Sequence, residues 1–212
     1  MKATIQRPLR VAEFFAGVGG FRVGLEAIHG KPYEVVWSNQ FEPGKAKQIA
    51  STIYQARWPK DPHLNKDIFQ VLASEADYDT LRSACPDVIV GGFPCQDYSV
   101  ARPLSQSQGL AGKKGVLWWS LVETLRKRQQ DGEPVKYAIF ENVDRLLSSP
   151  SSCRGRDFAI ILSSLAQLGY AVEWRVVNAA DYGFPQKRKR VFILAPTIRP
   201  RCIRATAARR PC

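Results

Sequence analysis

The residues best able to do chemistry lie in four short stretches. In Asp87 to Ala101, DVIVGGFPCQDYSVA, an apolar run breaks at two glycines and then presents a single thiol, Cys95. A cysteine there is either a small buried hydrophobe or a reactive group at the carboxyl end of a strand, the edge where open α/β sheets bind ligands. In Phe14 to Phe21, FFAGVGGF, a strand pattern runs into glycines and then a helix, a place where backbone amides can approach a nucleotide-like ligand. Glu141 follows the apolar run Tyr137 to Phe140 and should emerge at the same edge. Gln186 to Arg190, QKRKR, packs four cations into five residues ahead of another strand. Alternation sets Arg188 and Arg190 on one side and Lys187 and Lys189 on the other. Taken singly, Glu141 reads as a strand-end carboxylate paired with an arginine, and the basic run as a solvated face or a phosphate contact.

The glycine turn narrows the ligand. Arg22 stands where the dinucleotide pattern G-x-G-x-x-G needs its third glycine, which disfavours a nicotinamide or flavin site. Glu42, at the end of the second strand, can take two ribose hydroxyls, and Asp67 can accept from an adenine amino group. Each acid alone is more often a helix cap or a surface charge. With the glycines they describe a nucleoside pocket.

The elements that must hold these residues alternate between strand and helix patterns, the signature of a sheet covered by helices on both faces. Strands are expected near Arg10 to Phe15, Glu34 to Ser38, Asp87 to Val90, Tyr137 to Glu141, Val172 to Val177 and Arg190 to Leu194. Helices are expected over Phe21 to Ile28, Gly44 to Gln55, Val116 to Gln130 and Asp157 to Leu168. No helix pattern separates the last two strands, so they should pair antiparallel. Residues 99–115, rich in Ser, Gln and Gly, read as a long loop, and loops of that length in compact domains are usually functional. The tail 197–212 carries five arginines and no acid, has no apolar period, and reads as disordered.

Composition agrees with a nucleic-acid partner. The 212 residues are 45% hydrophobic, enough for one domain with a real core, and 31 Lys and Arg against 19 Asp and Glu give a net charge of +12. A membrane surface is the second polyanion that such a charge would suit. No apolar stretch approaches the ~18 residues of a membrane span, and the amino-terminal residues lack the apolar core of a secretory signal, so the chain reads as intracellular. Five cysteines with no CxxC pairing and no close histidines argue against a zinc site or a disulfide framework.

FAGVGGFRVGLE, GGFPCQDYS, FENV and YGFPQKRKRVFI, in that order, resemble the ordered motifs of the DNA cytosine-5 methyltransferases, over roughly residues 10–195. The resemblance implies a Rossmann-like α/β methyltransferase fold with a mostly parallel sheet and an antiparallel last strand. It implies S-adenosylmethionine as cofactor and double-stranded DNA as substrate. Cys95 would add to C6 of cytosine, Glu141 would hydrogen-bond N3 and the exocyclic amine, Arg190 would contact O2, and Arg188 would hold its neighbours or the phosphates. To donate at N3, Glu141 must be protonated. The cofactor pocket would draw on Phe15, Ala16, Gly17, Gly19, Gly20 and Phe21 of the turn. Gln40, Glu42, Asp67, Ile68 and Pro94 would complete it, while Phe93, Ser99, Asn142 and Gln186 would face the substrate. The target base would be flipped out of the stack, with the loop after Cys95 as its lid.

Two departures from the family pattern shape the expectation. The family commonly has glutamate where this chain has Gln40, so the ribose carboxylate is either displaced to Glu42 or lost. Residues 1–196 would form the catalytic and cofactor-binding unit, and the target-recognition region that normally follows the last motif would come from a second polypeptide, the chain being a subunit of a split enzyme, a truncated product or a degraded copy. Three other readings stand beside this one. They are a non-enzymatic remnant that binds nucleic acid, a tRNA cytosine-5 methyltransferase of the same fold, and an oxidoreductase, which Arg22 disfavours.

Overall fold

The computed structural model describes residues 7–93, 117–148 and 153–198. Strands β1 (Leu9–Phe14), β2 (Tyr33–Asn39), β3 (His63–Leu64), β4 (Val88–Gly92), β5 (Tyr137–Val143), β6 (Glu173–Asn178) and β7 (Lys189–Pro196) form one seven-stranded sheet. Their order is β3-β2-β1-β4-β5-β7-β6. β1 to β5 run parallel, while β7 pairs antiparallel with both β5 and β6. The helices are α1 (Gly20–Glu26), α2 (Ile49–Arg57), α3 (Ile68–Ala73), α4 (Glu75–Ser83), α5 (Leu117–Gln130) and α6 (Arg156–Gln167). The α/β class and the antiparallel last pair are as the sequence predicts.

Most of the core lies on one face of the sheet. Val71 of α3, Leu81 of α4, Leu121 and Leu125 of α5 and Leu165 of α6 are fully buried against Ala12, Phe14, Ile89 and Phe140. The opposite face has a smaller cluster, Val11, Val35, Val88 and Val90, packed with Phe21 and Leu25 of α1. The register between β1 and β2 slips after Val11, so that Ala12 faces Trp37 rather than Val36. This bulge turns Trp37 into the main core and brings Ser38 level with Glu13.

Strand direction changes meaning at the junction of β1 and β4. From there the chain winds outward both ways, which opens a crevice at the carboxyl ends of these strands. The amino ends are tied by charge instead. Asp87, 5% exposed, accepts from Arg7, from Lys136 and from the Arg10 amide, at 2.7, 2.6 and 3.0 Å. Burial pushes its pKa up, but the Arg7, Lys136 and Arg10 bonds more than offset this and leave it lowered.

Three expectations need correction. The helix expected over Gly44 to Gln55 starts only at Ile49, because Gly44 is left-handed (φ 78°) and the Gln48 side chain folds back onto the Glu42 and Lys45 carbonyls. α3, α4 and the two-residue β3 were not anticipated; α4 is mostly polar and is set by the Ser74 cap on the Asp77 amide. Cys85 is disulfide-bonded, which the cysteine spacing did not suggest, while Cys153 is free. No helix among the described residues is long and apolar enough to cross a membrane.

The Asp87 anchor leads to a prediction. Asp87→Ala strands two cations at the sheet's amino edge and should lower unfolding free energy by about 2 kcal/mol at pH 7, between an exposed and a fully buried pair. Because the folded-state pKa is depressed, that difference should shrink as pH falls through it. Urea unfolding of both proteins at pH 7 and pH 3 measures this.

Candidate active site

Two strand ends meet at the open edge of the sheet. β4 ends in Gly91-Gly92, and Gly92 lies in register with Glu141 of β5. The glycines are there for room. A Cβ at Gly91 would come within 3.1 Å of the Phe14 carbonyl oxygen, and one at Gly92 within 3.2 Å of Glu141 Oε2. The Glu141 side chain can therefore lie across the end of β4.

From the other side β7 supplies cations. Glu141 pairs in register with Phe192, which places Arg190 on the same face one pleat away. Arg190 Nε lies 2.9 Å from Glu141 Oε1, and an Arg188 guanidinium nitrogen lies 3.9 Å from the same oxygen. Glu141 and Arg190 are about one-fifth exposed, whereas Arg188 is half exposed. Arg190 on β7 and Arg188, just ahead of the strand, both turn toward Glu141, and this forms the cluster. Beyond it an open cleft of about 410 Å³ is lined by Asp144, Gln186, Lys187, Arg188, Lys189 and Arg190.

Asn142 works inward. It is 2% exposed, its amide donates to the Phe93 carbonyl at 2.9 Å, and its side-chain oxygen accepts from the Val143 amide at 2.8 Å. It thus ties the end of β4 to the end of β5, two residues before Cys95 in the chain. Phe93 belongs to the core, its ring 5.3 Å from that of Trp118 and 6.4 Å from that of Phe140. The substrate-facing expectation for Asn142 and Phe93 is corrected accordingly: both side chains are used in holding the strands. Pro94, Cys95 and Ser99, with the loop 99–115, lie outside the described residues.

The glycine turn after β1 is strained. Phe15 has φ 52°, a left-handed conformation unusual for an aromatic residue and a frequent mark of functional turns. Gly17 and Gly19 are also left-handed, at 57° and 90°. Added Cβ atoms at Gly17 or Gly20 meet nothing within 4 Å, so the turn has open space beside it. Gly19 is different. Its Cβ would run into the Trp58 ring, so the missing side chain makes way for a packed indole.

Other expected pocket residues divide in the same way. The Gln40 side chain accepts the Gly17 amide at 2.8 Å, at the position of the family glutamate, and is 9% exposed. Glu42 instead pairs with Lys45 at 2.7 Å, so it is Gln40 that reaches the turn. Asp67 caps α3, accepting the Phe69 amide at 2.8 Å. Ile68 lies in the main core, and Phe21 packs edge-on to Phe192 at 6.4 Å, so both serve the packing of the turn more than its surface. The open glycines, the Gln40 carboxamide and the Asp67 carboxylate fit a nucleoside-bearing cofactor. Among the described residues no group of three or more His, Cys, Asp or Glu side chains could hold a metal ion.

One functional candidate was missed in the sequence. Glu13 of β1 is fully buried beneath the turn, and it could have been noticed as the one acid in the apolar run Val11-Ala-Glu-Phe-Phe15.

The family model for C-5 cytosine-specific DNA methylases matches residues 9–199. The chain is 53% identical over 185 residues to the type II methyltransferase M.Sau3AI of Staphylococcus aureus, covering 87% of this chain and 42% of that protein. It is 28% identical to M.NgoBI of Neisseria gonorrhoeae, covering 87% of this chain and 50% of that one. Among solved structures, DNMT2 of Spodoptera frugiperda superposes with a TM-score of 0.63 at 17% identity, covering 89% of this chain and 50% of that one. The chain thus spans about half or less of the length of these relatives.

The two glycines separate packing from strain. Gly17→Ala should cost about 1 kcal/mol, the backbone penalty alone, whereas Gly19→Ala must also displace Trp58 and should cost about 3 kcal/mol or more. Thermal unfolding of the two variants checks the ranking.

Proposed function

The chain belongs to the C-5 cytosine-specific DNA methylases, and on that premise we propose that residues 1–196 are the catalytic and cofactor-binding part of an enzyme that methylates C5 of cytosine in double-stranded DNA. The observation that carries the reading is the Glu141 carboxylate, held by Arg190 at 2.9 Å beside the glycine end of β4, the strand that leads to Cys95.

The chemistry asks for these groups together. C5 of cytosine is a poor nucleophile at rest. Attack by the Cys95 thiolate forms an S–C6 bond and shifts the C5–C6 electron pair toward C5. Glu141 binds N3 and the exocyclic amine, offsetting the charge that gathers on the ring, and Arg190 binds O2. Loss of the C5 proton to a base, with departure of the Cys95 sulfur from C6, restores the aromatic ring after transfer. S-adenosylmethionine, when bound, supplies an electrophilic methyl group on a sulfonium. The open glycine turn, Gln40 and Asp67 would hold it. The base must leave the duplex to reach this edge, and the cleft lined by Lys187, Arg188 and Lys189 suits the phosphates that flank it.

Sequence recognition is assigned to protein outside these residues, on the same chain or on another. The +12 net charge supports contact with a polyanion without choosing a sequence.

A covalent trap tests the reaction. With S-adenosylmethionine and a complementing polypeptide, the chain should form a denaturation-resistant complex with duplex DNA containing 5-fluorocytosine, and Cys95→Ser should not. Adduct formation by Cys95→Ser sinks the assignment, and an adduct with tRNA but not with DNA favours the RNA reading. Residues 1–212 alone should methylate with little or no site specificity, as bisulfite sequencing of treated plasmid would report.

A further inference from the structure

α1 begins without a cap of its own. Its first turn holds no acidic residue, and Gly19, at its amino end, has no side chain to accept an amide hydrogen. Glu13, six residues earlier at the end of β1, stands in for the missing cap. Its Oε1 accepts the Arg22 amide at 3.4 Å, and its Oε2 accepts the Tyr54 hydroxyl at 2.9 Å. The bond therefore closes over the whole Phe14 to Gly20 turn. A carboxylate at the amino end of a helix also meets the favourable end of its dipole.

The charged groups around Glu13 are few and are themselves held. From α1, Arg22 is 6% exposed, bonded to Glu26 and Asp61, and stacked 4.4 Å from the Trp58 ring centre. From α2, Tyr54 is fully buried and stacks on His63 of β3 at 4.7 Å. His63 is fixed between Ser38 and Ser51, each at 2.8 Å, and burial lowers its pKa. No charged partner of opposite sign bonds the Glu13 carboxylate directly among the described residues. Burial raises its pKa to about 7, against the lowering effect of the Tyr54, Arg22 and Phe21 bonds.

That arrangement works against stability. The folded-state pKa exceeds the ordinary 4.5, so Glu13's contribution is fully present below about 4.5 and is lost as pH rises through about 7. A neutral isostere at this position would fold at least as well at pH 8. A buried acid that weakens the fold at neutral pH, directly under a strained turn, suggests a use in that turn.

We propose that Glu13 is a positioning residue for the cofactor turn: its ionised carboxylate caps α1 from the end of β1 and so fixes the backbone of the Phe15 to Gly20 turn against which the ligand sits. The proposal rests on the methyltransferase reading for the identity of that ligand, though the cap itself does not. Ionised Glu13 is the stronger acceptor, so the turn is held more firmly as pH rises.

The test uses the full chain and S-adenosylhomocysteine as the probe. Calorimetric affinity of the wild type should increase by up to about tenfold from pH 6 to pH 8, the change in the ionised fraction of a group titrating near 7. Glu13→Gln should bind about as weakly as the wild type at pH 6, show a flat profile, and melt no lower than the wild type at pH 8. Hydrogen exchange without ligand reads the cap alone: protection of the Arg22 amide should rise with pH in the wild type, after correction for intrinsic rates, and not in Glu13→Gln. A pH-dependent affinity retained by Glu13→Gln, or Arg22 protection unchanged by the substitution, overturns the proposal. Glu13-dependent protection with no probe binding at any pH would uphold the cap and sink the cofactor assignment of the turn instead.

Discussion

Everything at the open edge of the sheet depends on one contact, Arg190 against Glu141 at 2.9 Å. It exists because β7 enters antiparallel beside β5, which sets residue 190 diagonal to residue 141 on the same face. A seventh strand running parallel would have carried the QKRKR segment to the opposite end of the sheet. The contact also requires Gly92, since any side chain there would crowd the Glu141 carboxylate. The topology, the two glycines before Cys95 and the basic run before β7 are parts of one geometrical requirement. A carboxylate and a guanidinium must stand beside the end of β4.

The glycine turn obeys a second requirement, met mostly from beneath. Phe15 at φ 52° is a conformation that isolated sequence preference would avoid, and a buried acid under the turn is another. Both are local costs that packing tolerates, since Trp58, Tyr54 and Arg22 fill the space around Gly19 and Glu13. The bulge in β2 belongs to the same device, because it brings Ser38 to the His63 and Tyr54 side of the sheet.

The sequence disclosed the strand and helix alternation, the antiparallel final pair and the cluster of Glu141 with Arg188 and Arg190, because each rests on a periodicity or on residue order. It was silent on features that depend on distant packing. Gly19 looked like a ligand contact alone, yet its missing side chain also makes room for Trp58, which only the position of that ring could reveal. Asn142 and Phe93 carried family motifs yet spend their side chains tying β4 to β5. Glu13 passed unnoticed because a single acid in an apolar strand has no period. α4 was missed because its polar residues outweigh Tyr78 and Leu81, the pair that buries it.

The central claim is that Glu141 and Arg190 act as one unit on the base, and a double-mutant cycle measures that directly. Single-turnover rates of methyl transfer to cytosine in duplex DNA, with the complementing polypeptide present, would be compared for wild type, Glu141→Gln, Arg190→Ala and the double variant. If the two residues form a single constellation, the double variant should be slower than the slower single variant by no more than about twofold. Rate losses that multiply across the two substitutions would contradict that claim and would leave the ion pair as two separate contributions.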